Sequence, residues 1–101
     1  MTHIDLKNKT ILITGASKGI GQGIAGYAMQ MGAKVAVHYN SDKASAESLV
    51  SKYPETNSKT FHADLSKTKD VVNLFENVIR EFRTIDTIIL NAGVFLHHST
   101  Q

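Results

Sequence analysis

The sequence predicts an α/β domain built on a doubly wound parallel sheet. Three observations carry that prediction. Short β-branched runs alternate along the chain with longer segments of helical period. A glycine-rich stretch, Gly15 to Gly21, falls between the first such run and the first helix, and Asn91-Ala92-Gly93 breaks the fourth run. The resulting order β-α-β-α-β-α-β requires crossover helices, and crossovers of that kind join parallel strands.

Each element has a local reason. Thr10 to Thr14 is a β-branched run ending at Gly15, as expected of a strand buried on both faces. From Ile20 to Met31 the apolar residues Ile20, Ile24, Ala25, Ala28 and Met31 follow helical spacing, and Gly32 supplies a stop. Gly23 and Gly26 inside that helix cost about 1 kcal/mol each relative to Ala, so tertiary packing has to hold it. Lys34 to Tyr39 forms a second strand. Ser41 or Asp42 caps a second helix running to about Lys52, with Leu49 and Val50 facing inward. Tyr53 to Ser58 is a turn-rich connector, and Lys59 to Ala63 a third, weaker strand. Ser66 is expected to cap the third helix, whose apolar stripe is Val71, Leu74, Phe75, Val78, Ile79 and Phe82. Ile85 to Leu90 is the fourth strand. Right-handed crossovers place the first two helices on one face. With strand order 3-2-1-4 the third helix lies on the other face, and a switch point opens between strands one and four. The loops Gly15 to Gly21 and Asn91 to Gly93 meet there.

Composition bounds the function. A chain of 101 residues with 42% hydrophobic content builds one compact domain and not two. Eleven Lys and Arg against nine Asp and Glu leave a formal charge of +2, too little for a nucleic-acid footprint. No apolar run is long enough for a transmembrane helix, and Met1 to Lys7 lacks the apolar centre of a signal peptide. The absence of cysteine fits a reducing compartment, so a cytoplasmic location is expected.

The glycine stretch carries the chemistry. Gly15 can leave the strand in a tight turn, Gly19 lets backbone approach a pyrophosphate, and Gly21 permits close helix–sheet packing. A plain turn is the bland alternative, but the placement between strand and helix favours a ligand. A P-loop needs Lys after its last glycine, and Lys18 precedes Gly19. The strict G-x-G-x-x-G fingerprint fails because Ile24 stands where its third glycine belongs. Gly19-Ile20-Gly21-Gln22-Gly23 has the G-x-G-x-G spacing of adenosylmethionine-dependent methyltransferases. Those proteins usually end the second strand on an acid, where this chain has His38-Tyr39-Asn40.

The pattern that fits at every fixed position is T-G-x3-G-x-G, from Thr14 to Gly21. With Asp64-Leu65 after the third strand and Leu90-Asn91-Ala92-Gly93 after the fourth, the chain resembles the short-chain dehydrogenase/reductase family over essentially its whole length. Leu90 replaces the first Asn of that family's Asn-Asn-Ala-Gly motif. The resemblance implies a Rossmann-type fold, here truncated after the fourth strand, so residues 1–101 are expected to be a partial NAD(P)-binding domain. It implies that backbone N–H groups from Ser17 through Lys18 and Gly19 to Ile20 hold the pyrophosphate. Asp64 would accept from the adenine amino group while Leu65 backbone touches the ring edge. Asn91, Ala92 and Gly93 would lie against the nicotinamide ribose and brace the fourth strand against the loop. Asp64 as a helix cap is the simpler alternative, compatible with the first.

Charge argues the cofactor. A carboxylate about 20 residues past the loop holds the 2′-hydroxyl of NAD and repels a 2′-phosphate. The second strand ends without one, and Lys18, Asn40 and Ser41 suit a phosphate, so NADP(H) is expected over NAD(H). The loop and the stretch His38 to Ser41 also look similar to the 3-oxoacyl-carrier-protein reductases.

The family's chemistry uses a Ser with a Tyr and a Lys four apart on a helix beyond the fifth strand, and that portion is expected to be absent from this chain. Tyr39 and Lys43 have the spacing but straddle a strand-to-helix turn, so they cannot share a helical face. His3, His38 and His62 lack Cys or acidic partners at ligand spacing, and the adjacent His97 and His98 point apart, so no metal site is expected. The fourth strand would leave an apolar edge, with self-association or pairing to missing strands as the expected consequence. Two functions follow: the cofactor-binding part of an oxidoreductase, or a non-catalytic module that binds dinucleotide or a partner.

Overall fold

The apolar run Thr10–Ile13 becomes the central strand β1, with all four residues buried. A computed structural model describes residues 5–91. In it β1 is flanked by β2 (Lys34–Tyr39) and β4 (Thr87–Ile89), with β3 (Lys59–His62) outside β2. All pairings are parallel in the order β3-β2-β1-β4, as the sequence predicts. Leu12 sits opposite Ala36 on one side and Ile88 on the other. The strands' C-terminal ends therefore share one edge.

Alternation along the strands makes two cores. Ile11, Ile13, Val35 and Val37 face α1 (Gly19–Gln30) and α2 (Lys43–Ser51), whose Ala25, Ala28, Met29, Ala46 and Leu49 pack against them. Leu12 and Ala36 face α3 (Thr68–Phe82), which contributes Leu74, Val78 and Phe82. Among the described residues no helix is long and apolar enough to cross a membrane.

Several local expectations need correction. In α1 Met29 enters the core, while Ile20 is 75% exposed because the helix has only just begun at the sheet's edge. Of the two caps expected for α2, Ser41 or Asp42, it is Asp42 that fills the position, accepting from Ser45 N–H at 3.0 Å, and this expectation holds. Ser66 does not cap α3; Lys67 holds that position with no side-chain cap. The Ser66 hydroxyl instead donates to Asp64 Oδ1 at 2.7 Å. The α3 stripe is narrower than its sequence suggests, leaving Ile79 45% exposed. The connector contains a single 3₁₀ turn, Pro54–Thr56, and Asn57 follows at φ 58°. That turn delivers Ser58 Oγ to Val35 N–H at 2.8 Å, supporting the β2 backbone from within the core.

β4 is shorter than the Ile85 to Leu90 run. Asp86 is held beside Thr10 by two bonds, its N–H donating to Thr10 C=O at 2.8 Å and its carboxylate accepting from Thr10 N–H at 2.7 Å. Ile88, in register with Leu12, is 45% exposed, and Leu90, just past the strand, is 61% exposed, so apolar surface is left open at this end of the sheet.

Candidate functional site

The glycine loop is shaped by its neighbours on the sheet. Gly15 and Gly19 adopt φ of 61° and 65°, the left-handed region where a side chain is strained. Gly15 N–H donates to His38 Nδ1 and Ala16 N–H to the His38 carbonyl, both at 2.9 Å. These two bonds face the loop's first amides inward. The amides that follow are placed differently. Helix α1 begins with Lys18 in extended conformation, no side-chain cap and no acidic residue in its first turn. Its first N–H groups have no intrahelical acceptors, and its positive dipole end is not neutralised. Such an end is a ready anion site.

Gly21 sits behind the loop. A Cβ there would overlap Gly15 C=O and Asn91 Nδ2. Asn91 joins β4 to the loop: its N–H donates to Thr14 Oγ1 at 2.8 Å and its Nδ2 to Gly15 C=O at 3.3 Å. The bracing role expected of Asn91 is thus present in the geometry.

The opposite wall comes from the end of β3. Asp64 Oδ1 accepts from both Ser66 N–H and Ser66 Oγ, which together hold its carboxyl below the ordinary value, the hydroxyl bond contributing most. Asp64 N–H in turn donates to Asp70 Oδ2 at 2.9 Å, tying the turn to α3. Asp64 therefore orders a turn and does not cap the helix. Beyond β2, both oxygens of Asp42 accept from Ser45, and these bonds, the backbone one first, lower its carboxyl as well.

Between these walls is a cleft of about 620 Å³. Of the residues singled out in the sequence, Gly15, Ser17, Lys18, Gly19, Ile20, Asn40, Ser41, Asp64, Leu65 and Asn91 line it. Ala92 and Gly93 lie outside the described residues, as do His3, His97 and His98. His38, Asp42 and Ser66 also line the cleft and were not among the sequence candidates. Nothing local marks His38: its partners are 23 and 25 residues away. Tyr39 belongs to the α1–α2 core, 8% exposed, at the end of β2, whereas Lys43 opens α2 beyond the turn. Among the described residues no group of three His, Cys, Asp or Glu side chains could hold a metal ion.

A parallel sheet of order 3-2-1-4 with a glycine loop at its switch point defines a Rossmann-type nucleotide fold. The comparisons narrow the class. The short chain dehydrogenase model matches residues 9–101, and the chain belongs to that family. The hydroxynaphthalene reductase-like protein Arp2 of Metarhizium robertsii is 38% identical over 94 residues, covering 91% of this chain and 35% of that protein. A crystal structure described as a dehydrogenase from Burkholderia cenocepacia with bound NADP superposes with TM-score 0.78 at 37% identity, over 89% of this chain and 36% of that one. A Bacillus thuringiensis protein described as a 3-oxoacyl reductase gives TM-score 0.76 at 29% identity, over 83% and 36% of the two chains. The chain thus spans about a third of the length of these relatives.

Proposed function

We propose that residues 1–101 are the NADP(H)-binding portion of an oxidoreductase that moves hydride between the nicotinamide and a carbonyl or alcohol carbon. One observation carries the reading: the uncapped, acid-free start of α1 opens into the cleft across from Asp64 and Leu65. The amides from Ser17 to Ile20 take the pyrophosphate, Asp64 and Leu65 the adenine, and Asn91 to Gly93 the nicotinamide ribose. In reduction the hydride goes to the carbonyl carbon while a proton reaches its oxygen. The proton donor belongs to the Ser-Tyr-Lys portion that such an enzyme requires and these residues do not supply. Relatives described as a hydroxynaphthalene reductase-like protein and a 3-oxoacyl reductase support a ketone as the substrate group. A cysteine-free chain working with NADP(H) fits the reducing cytoplasm.

The preference for NADP(H) rests on charge. Lys18, Asn40 and Ser41 line the adenosine end of the cleft, and the nearby Asp42 carboxylate is engaged by Ser45. Titration of the intact protein should show NADPH binding tighter than NADH. Lys18→Ala should weaken NADPH by about tenfold and leave NADH nearly unchanged, the effect of one charge-assisted contact. Equal affinity for the two cofactors, or no response to Lys18→Ala, overturns the preference.

A second reading, a non-catalytic module that pairs with another chain, has the exposed β4 edge in its favour. On either reading the isolated 101 residues should self-associate through that edge, and Ile88→Lys should shift them toward monomer in sedimentation. A monomeric wild-type chain with a sharp cooperative melt contradicts this.

A further inference from the structure

His38 is 2% exposed, yet it lies at the back of the cleft between its two walls. Its ring has a partner at each nitrogen. Gly15 N–H can only donate, so Nδ1, 2.9 Å away, is the acceptor. The Ala63 carbonyl can only accept, so Nε2, also at 2.9 Å, carries the proton. The partners fix one neutral tautomer.

These two atoms belong to the two sides of the site. Gly15 opens the glycine loop, and Ala63 immediately precedes Asp64. The carbonyl of the same histidine takes Ala16 N–H at 2.9 Å, and Ala63 N–H donates to Tyr39 C=O at 3.2 Å. Accepting on the proposed function that this cleft receives a dinucleotide, we infer that His38 is its positioning residue. Its neutral ring, donating at Nε2 and accepting at Nδ1, sets the glycine loop against the Asp64–Leu65 wall, so that pyrophosphate and adenine sites are held at a fixed separation. His38 touches no reacting atom in this role.

Protonation reverses the arrangement. An imidazolium carries hydrogen at Nδ1, donor against the Gly15 N–H donor, and the loop loses its anchor. Burial holds the ring below the ordinary imidazole value; the bond to Ala63 opposes this, and the charge of nearby His62 adds to it. Lys18, Asp42 and Asp64 line the same cleft, Asp70 is bonded behind Asp64, and the charge that bears on His38 is that of His62. Because the held ring is the poorer base, a ring freed from the loop takes a proton as pH falls through 6.5, so the preference for the anchored state, full well above that pH, weakens progressively below it.

The test is NADP⁺ binding to the intact protein between pH 8 and about 5.5, about one unit below the ordinary imidazole value. His38→Ala should weaken binding about tenfold at pH 8, since two buried backbone groups lose their partner. His38→Asn places Oδ1 near the position of Nδ1, keeps an acceptor for Gly15, and should recover most of that loss. His38→Gln places its amide near Nε2, serves Ala63 alone, and should not. The 2′-phosphate titrates near pH 6 itself, so His38→Asn is the reference: wild type should lose affinity more steeply below pH 6.5, and His62→Asn should keep that extra slope. Coincident pH profiles for wild type and His38→Asn, or equal affinity in His38→Gln, overturn the inference.

Amide exchange separates it from the cofactor reading. The Gly15 amide should be protected at pH 8 in wild type and His38→Asn, and exchange about tenfold faster in His38→Gln. If wild type binds no dinucleotide at any pH, the cofactor reading falls while Gly15 exchange still decides the role of His38. Equal exchange in all three proteins overturns it.

Discussion

Gly21→Ala is expected to abolish dinucleotide binding and to lower the melting temperature of the protein. The added Cβ would overlap Gly15 C=O, a backbone atom, and Asn91 Nδ2. The Asn91 amide can rotate, but only by giving up its bond to Gly15. Gly15 itself is fixed by its left-handed φ and by the bond from its N–H to His38. The remaining escape is for α1 to lift from the sheet, which separates Ala25, Ala28 and Met29 from Ile11 and Ile13. Overpacking of this kind costs about 1–3 kcal/mol, and each kcal/mol moves the midpoint of a domain this size by roughly 4–8 °C. Gly23→Ala is the matching control. A Cβ there meets nothing within 4 Å, so the variant should be stabilised by up to about 1 kcal/mol through helix propensity. Indistinguishable melts for the two variants would contradict the close-approach argument.

Leu74→Ala should cost about 3 kcal/mol, within the 2–5 kcal/mol typical of large-to-small changes in a core. Leu74 is 2% exposed and belongs to the cluster that joins Leu12 and Ala36 of the sheet to α3. The opposite face has two helices to share the load, whereas among the described residues this one has α3 alone. A domain with about 5–15 kcal/mol of total stability would lose a large fraction of it. Ile79→Ala on the same helix removes a side chain that is 45% exposed and should cost less than about 1 kcal/mol. Denaturant midpoints at constant slope give both values. A Leu74→Ala midpoint no lower than that of Ile79→Ala would mean that α3 does not carry this core.

What the sequence disclosed depended on how local the cause was. The four strands and three helices were legible because their apolar periods differ and because Gly15 and Gly32 stand where the backbone needs positive φ. The expected strand order 3-2-1-4 holds, and with it the two loops meet as that order implies. Ten named residues line the cleft because short loops at a parallel sheet's C-terminal edge have little freedom to go elsewhere. Helix phase and capping were less legible. Ser66 looks like a cap until the Asp64 carboxylate, two residues back, takes its hydroxyl. Ile20 has the right spacing for the core but precedes the part of α1 that touches the sheet. His38 was discounted for want of a Cys or acidic partner, when its partners are a backbone donor and a backbone acceptor. Backbone partners distant along the chain leave no trace in residue type.

The two bonds made by Asn91 join positions 76 and 77 residues apart in the chain. Closing so long a stretch gives up chain entropy before any contact repays it. During synthesis, strands β1, β2 and β3 with their helices emerge well before Thr87–Ile89, and until that segment arrives one edge of β1 has no neighbour. The glycine loop, although nearly the first structure made, can acquire its final shape only when the ninety-first residue reaches it. The ligand site is then among the last parts of this chain to assemble, and a ribosome-bound nascent chain shorter than that would carry the loop without the clasp.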